Sequence, residues 1–265
     1  MSDPTVVVRD LVKVFNDEAR GEVRAVAGVS FECAPGEIFG LLGANGAGKT
    51  TTLRMLATIL GPSEGSGTLM GHDIREDPEA VRRSLGFYSA STALYPRLTA
   101  RETLDFFARI NGVAGDRVEA RVDALIERFG IGAFEHGRID RLSSGMKQKV
   151  SIARTIAHDP PVLIFDEPTV GLDVLNALEM QRVIGDLRDQ GKTIIFSTHV
   201  MSEAERLCDR IAIIHAGHIH ACDTLDALRL ATGKHYLEDI FVRYVEAAGP
   251  SVDVGAASSG STPAR

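Results

Sequence analysis

A chain of 265 residues with 44% apolar and 25% charged side chains has the composition of a soluble globular protein and is long enough to bury a core without covalent staples. Its 36 acidic against 29 basic side chains give a formal net charge of −7, which argues against a protein that binds nucleic acid through overall charge, and no nucleic-acid partner is expected. Cys33, Cys208 and Cys222 are too few and too scattered for a disulfide framework or a cysteine zinc site, so reduced thiols acting as small apolar fillers are expected.

Met1 to Asp10 carries acids and Pro4 where a signal peptide would have a basic stretch and an apolar run. Residues 5–14 are rich in β-branched side chains and read as a strand. A polar loop with Gly21 follows, and Val23 to Phe31 suggests further strands before the Pro35-Gly36 turn. Ile38 to Leu42 is wholly apolar, as a strand covered on both faces would be. Lys49 to Leu60 reads as a helix stopped by Gly61-Pro62. From Thr99 to about His158 the pattern is helical: Leu104, Phe107 and Ala108 share one face, and Val122, Leu125, Ile126 and Phe129 another. Strand and helix patterns alternate again from Val162–Phe165, which implies parallel strands with crossover helices and makes the helical stretch an insertion in one α/β core. The longest apolar runs are strand-length, whereas a membrane span needs about 20 residues. His215-Ala216-Gly217-His218-Ile219-His220 reads as a hairpin with surface histidines in preference to a metal tract. The segment from Gly249 is rich in Gly, Ser, Ala and Pro and is expected to be disordered.

Two segments carry phosphate chemistry. Gly43-Ala44-Asn45-Gly46-Ala47-Gly48-Lys49-Thr50 fits G-x-x-x-x-G-K-[ST] between an apolar strand and a helix. Glycines let successive N–H groups curl around phosphate oxygens, and the helix beginning at the loop adds its positive end. Lys49 is then expected on the β- and γ-phosphates and Thr50 on Mg²⁺. Downstream, the strand Val162-Leu163-Ile164-Phe165 ends in Asp166-Glu167. Asp166 is suited to Mg²⁺, and Glu167 to orienting or deprotonating the attacking water. Both motifs sit where ligands of parallel sheets bind, at strand carboxyl ends.

A third segment, Leu142-Ser143-Ser144-Gly145-Met146-Lys147-Gln148, precedes a helical pattern and closely resembles the L-S-G-G-Q signature of ABC-type ATPases. The order of motifs also matches that family: phosphate loop, signature, acidic strand, Gly171-Leu172-Asp173, then His199 after the next strand. The resemblance covers roughly residues 5–230. It implies an α/β fold, a P-loop NTPase core of ABC type with an N-terminal antiparallel β subdomain and an inserted helical subdomain. The nucleotide-binding domain would run over 5–235, with the helical part at about 91–160 and a C-terminal helix at 236–248. It further implies an ATPase using ATP and Mg²⁺, with Glu167, His199 and Lys49 catalytic. Phe15 would stack on adenine, Gly43 to Thr51 would hold the phosphates, and Ser143, Ser144, Gly145 and Asp173 would reach the nucleotide of a second copy packed head to tail. A separate multi-span membrane permease subunit and a place on the cytoplasmic face of the membrane follow from the same resemblance.

The sequence departs from the family pattern in two places. Ser144 stands where a second glycine is usual, which the loop tolerates if the backbone there is right-handed. Ala90 stands where the family carries a Gln that links Mg²⁺ to the membrane-subunit surface, which leaves Leu94 and Tyr95 to carry that contact. Arg82-Arg83 also lies near the family's membrane-subunit contact. The segments Leu94–Thr103 and Ser143–Arg154 look like the NatA type, the ATPase subunit of a sodium-efflux transporter. The rival reading is an ABC ATPase that moves no cargo; this chain lacks both the second nucleotide domain and the heptads usual in such proteins.

Overall fold

The computed structural model describes residues 3–18, 21–89 and 92–249. The expectations about Ala90, and about the tail beyond Gly249, fall outside the described residues.

The chain opens with a long antiparallel pair, β1 (Val6–Asp17) and β2 (Gly21–Cys33). Val23 to Phe31 is thus part of a single strand, and β1 runs three residues beyond the expected end at Val14, because Val14 to Asp17 pair with Arg24 to Gly21. After β3 (Ile38–Leu42), helix α1 spans Lys49–Leu56 and stops short of Leu60. Thr58 takes a left-handed φ of 56°, and Ile59 and Leu60 both turn their N–H groups back to Arg54. The segment that follows, which sequence patterning left unassigned, forms β4 (Glu64–Leu69), β5 (His72–Asp73) and α2 (Pro78–Ser84). Then come β6 (Leu85–Ser89), α3 (Ala100–Ile110), α4 (Gly115–Phe129) and α5 (Ser144–Thr155), with two single-turn 3₁₀ segments between the last two. The chain finishes with β7 (Val162–Asp166), α6 (Val174–Asp189), β8 (Thr193–Thr198), α7 (Met201–Leu207), β9 (Arg210–His215), β10 (His218–Asp223), α8 (Leu225–Thr232) and α9 (Leu237–Ala247).

Two sheets result. The first is antiparallel, in the order β2-β1-β4-β5. The second has the order β10-β9-β3-β8-β7-β6, with all but β10 parallel. Helices α3, α4 and α5 occupy the chain between the neighbouring strands β6 and β7. The central strands are buried along their whole length, and alternate residues serve opposite faces, as the two-residue period of a strand requires. Phe39, Leu41, Ile164 and Ile195 pack against α1 and the antiparallel sheet, where Phe31 stacks on Phe39 at 4.7 Å. Ile38, Leu163, Phe165, Ile194 and Phe196 pack against the helical face built from α3 to α6.

Register puts the chemistry on one edge. Leu42 pairs with Thr198, Asp166 with Ser197, and Ser89 with Asp166. Four strands therefore end level, and the loops after β3, β7 and β8 emerge side by side at their carboxyl ends. The expected hairpin joins β9 to β10, with Ala216 and Gly217 at φ 48° and 77°, the left-handed pair of a tight two-residue turn. Cys33, Cys208 and Cys222 pack in the apolar clusters, and burial pushes all three thiols up.

Candidate functional site

Gly43 to Gly48 curls between the end of β3 and the start of α1. Two glycines are dictated by space. A Cβ on Gly43 would collide with the Ile214 carbonyl oxygen, and one on Gly48, at φ 105°, would come within 2.6 Å of the Ala25 carbonyl oxygen. The loop is braced from below: Gly217 N–H donates to Ala47 O at 3.0 Å, and Ala27 N–H to Gly217 O at 2.9 Å. The β9–β10 hairpin turn thus ties the phosphate loop to β2. Ala44, Asn45 and Gly46 remain exposed, while Ala47, Gly48 and Lys49 are buried. Thr51 is half-buried on the first turn of α1.

Lys49 is 4% exposed and its ammonium is held in a cage. It donates to Gly43 O at 2.6 Å and Ala44 O at 3.1 Å, and pairs with Glu167 Oε1 at 3.0 Å. The other oxygen of Glu167 lies 2.7 Å from His199 Nδ1. A carboxylate only accepts, so Nδ1 carries the proton of that bond. Lys49 opens α1, Glu167 follows β7 and His199 follows β8, and the three form one chain of contacts. Glu167 itself has a left-handed φ of 48°, a conformation an L side chain adopts only when its surroundings hold it. Ser197 supplies that hold, since Glu167 N–H reaches both its carbonyl oxygen, at 3.2 Å, and its hydroxyl, at 3.1 Å.

Asp166 is 4% exposed. Its Oδ1 accepts from the Thr50 hydroxyl at 3.0 Å and the Ser197 hydroxyl at 2.8 Å. Sequence reasoning passed over Ser197; the signal was a pair of hydroxyl residues, Ser197-Thr198, directly after the apolar run Ile194-Ile195-Phe196. Thr198 donates to the buried Glu203 at 2.7 Å and accepts from Val200 N–H at 2.9 Å, which fixes the loop on both sides of His199.

The remaining expected residues lie apart from this cluster's bonds. Ser143 caps α5 by accepting from Met146 N–H at 3.3 Å, and Ser144, its first residue, has right-handed helical backbone that its side chain fits. Asp173 caps α6 in the same way through Asn176 N–H at 3.0 Å. Both caps are exposed. Phe15, at 39% exposure on β1, has Lys13 Nζ 5.3 Å from its ring centroid.

A parallel sheet with a glycine-rich loop and helix after β3 and an acidic pair at the end of β7, with β8 between the two, defines the class of P-loop NTPases. The comparisons refine the class. The family model for "ABC transporter" matches residues 26–170. The chain is 39% identical over 238 residues to the ABC transporter ATP-binding protein NatA of Bacillus subtilis (strain 168), covering 89% of this chain and 96% of that protein. It is 43% identical over 197 residues to the Nod factor export ATP-binding protein I of Paraburkholderia xenovorans (strain LB400), covering 74% of this chain and 65% of that protein. A solved structure of an ATP-binding subunit of an ABC transporter superposes with a TM-score of 0.81 at 30% identity, covering 91% of this chain and 99% of that chain. A dimeric structure of a bacterial ABC transporter cassette superposes at 0.72 with 25% identity, covering 83% and 98%. The chain belongs to the ABC transporter family, as an ATP-binding subunit with the family's ATPase fold. Among the described residues, no helix is long and apolar enough to cross a membrane.

Proposed function

We propose that this chain hydrolyses ATP at the Lys49–Glu167–His199 cluster and drives export through a separate membrane permease at the cytoplasmic face of the membrane. The observation that carries the reading is Glu167 held between Lys49 at 3.0 Å and His199 at 2.7 Å, beside a braced phosphate loop. The Lys49 ammonium is paired with the base itself at 3.0 Å. Phosphate oxygens entering the loop offer Lys49 a stronger anionic partner. Exchange of partners then frees one oxygen of Glu167 to accept a proton from the attacking water, while His199 keeps the carboxylate aimed. Water oxygen bonds to the γ-phosphorus, the bond to the β-phosphate bridging oxygen breaks, and ADP leaves with the electron pair.

Mg²⁺ fits the donors present. Thr50 and Asp166 offer hard oxygen ligands, and both bonds to Asp166 go to Oδ1. When bound, the ion supplies positive charge to the phosphate oxygens. In this reading Phe15 stacks on the adenine, and Gly43 to Thr51 bind the phosphates.

The second half of the site is assigned to another copy. Ser143 caps α5, and the N–H groups of Ser144 and Gly145 in its first turn have no acceptor within the helix, which makes a ready anion site. Asp173 sits beside Val174 and Leu175, which are 74% and 78% exposed; apolar surface of that kind marks a contact face. A head-to-tail pair would bury it around two ATP molecules. The relative named for Nod factor export supports an exporter. Sodium as the cargo rests on the resemblance to the NatA type. The test of the whole reading is ATPase activity of the chain alone and with a multi-span membrane protein that co-purifies with it, together with efflux of labelled sodium from vesicles holding both.

A further inference from the structure

Glu203 is a buried carboxylate that the hydrolysis described above does not use. It sits on the first turn of α7 and is 7% exposed. Its side chain accepts from the Thr198 hydroxyl at 2.7 Å and from Gln181 Nε2 at 3.5 Å, and among the described residues no Lys, Arg or His pairs with it. Burying a carboxylate without a cation is costly. The surroundings would suit an apolar pair: α6 buries Met180, Ile184 and Leu187, and α7 buries Ala204. Apolar side chains at 181 and 203 would pack there with no charge to desolvate, so stability alone does not account for Glu203.

Nor does ordinary helix capping. Val200 is the N-cap of α7, and Glu203 is its third residue. A Glu in that position usually reaches back to the N-cap N–H. Here Val200 N–H goes to the Thr198 hydroxyl at 2.9 Å, and that hydroxyl donates to Glu203. The Thr198 hydroxyl is interposed in the cap, accepting on one side and donating on the other, which fixes its direction. His199 lies between Thr198 and Val200, inside the clasp. Thr198 is also anchored on its backbone: it pairs with Leu42 across the sheet, and its carbonyl oxygen accepts from Gly43 N–H at 3.3 Å. On the far side of the clasp, Gln181 of α6 is 8% exposed, and its Oε1 is buried without a partner. Its bond to Glu203 is thus the polar contact that its amide makes.

We infer that Glu203 is a positioning residue for hydrolysis. Its carboxylate holds the Thr198 hydroxyl, and with it the backbone on both sides of His199, in the setting that puts His199 Nδ1 2.7 Å from Glu167. Gln181 steadies that carboxylate from α6. The inference rests on the reading of the Lys49–Glu167–His199 cluster above and adds the group that aims it. Glu203 touches neither nucleotide nor attacking water; it acts through His199. A charged acceptor is called for because it grips a hydroxyl more firmly than a neutral one does.

The experiment measures steady-state ATP hydrolysis with Mg²⁺ by the full chain and its variants. Glu203→Gln keeps the shape of the side chain and weakens its hold on Thr198. It should lower kcat about tenfold and leave KM for ATP within about twofold, the pattern of a misaimed group and not of lost binding. Thr198→Val removes the hydroxyl and keeps the volume; it should give a similar loss, and Thr198→Ser should recover most of it. This pair carries the test should Glu203→Gln fail to fold. The discriminating step repeats Glu203→Gln and Thr198→Val in a His199→Ala background. With no imidazole left to aim, each should then change kcat by less than about twofold, whereas a merely structural role would cost the same in both backgrounds. Wild-type kcat in Glu203→Gln or in Thr198→Val, or an equal loss with and without His199, would overturn the inference and leave the reading of the cluster standing. Wild-type turnover in His199→Ala itself would overturn that reading.

Discussion

Ser197 touches two members of the site at once, donating to Asp166 Oδ1 at 2.8 Å and accepting from Glu167 N–H at 3.1 Å. Ser197→Ala removes one bond from each, while Glu167 N–H keeps the carbonyl of residue 197 and Asp166 keeps Thr50, at a cost of about 0.5–1.5 kcal/mol per bond. Thermal melting should fall by several degrees, at roughly 2–4 °C per kcal/mol for a protein of this size, and kcat should drop more than KM for ATP rises. A variant that melts and turns over like wild type would show that Glu167 needs no such brace. His158 gives a pH signature. Burial lowers its pKa from the ordinary 6.5 to about 4, so between those values the unfolded chain binds a proton that the folded chain refuses. Stability is intact above pH 6.5, falls as the pH drops, and levels out below about 4, with a ceiling of roughly 3 kcal/mol. Urea midpoints at pH 7.5, 5.5 and 4.5 should show a shallower decline for His158→Gln than for wild type; parallel declines would contradict the assignment. At this scale the sequence named Lys49, Thr50, Asp166, Glu167 and His199 through their motifs. Ser197 and His158 were not legible, because their importance comes from burial and partners rather than from residue type.

Helix α3 shows how local chemistry sets an element. Thr99 accepts from Glu102 N–H at 3.1 Å, and Glu102 accepts from Thr99 N–H at 2.8 Å, a reciprocal cap. That cap orients the turn carrying Phe106 and Phe107 toward Tyr95. Thr99→Ala should cost about 1 kcal/mol, read as a drop of roughly 2–4 °C in calorimetric melting; an unchanged melting temperature would deny the cap its role. The start of this helix was legible from Thr99, as were the apolar strands β3, β7 and β8. The segment β4–β5 was not. Glu64-Gly65-Ser66-Gly67 has poor strand propensity, and it becomes a strand because β1 pairs with it, Val8 opposite Gly67 and Arg9 opposite Ser66. Helix α2 carried a readable start, Asp77 capping Ala80 N–H with Pro78 following, but at seven residues it gives too short a period to detect.

Across the whole molecule, motifs far apart in the chain meet because the strand order β9-β3-β8-β7-β6 differs from chain order. No periodicity in a sequence encodes that order. The resemblance to ABC ATPases implied the fold class but no strand order, and the level register of Leu42, Thr198, Ser197 and Asp166 is what brings the motifs together. The proposed head-to-tail pair has its own test at this scale. Leu175→Asp puts a charge into the exposed apolar face beside Asp173 and should abolish ATP-dependent dimers in size-exclusion chromatography while ATP still binds the monomer. Dimers that survive the change would move the contact elsewhere.

The central claim is that Glu167, held between Lys49 and His199, is the base of ATP hydrolysis. Glu167→Gln keeps the shape of the side chain and most of its hydrogen bonds but cannot accept the proton of water. The direct measurement is single-turnover hydrolysis of radiolabelled ATP with Mg²⁺ by the purified wild-type chain and by this variant. The variant should bind ATP with an affinity close to that of wild type and cleave it about 10²–10⁴ times more slowly, with uncleaved ATP retained in the protein fraction. Cleavage by Glu167→Gln at the wild-type rate would contradict the account.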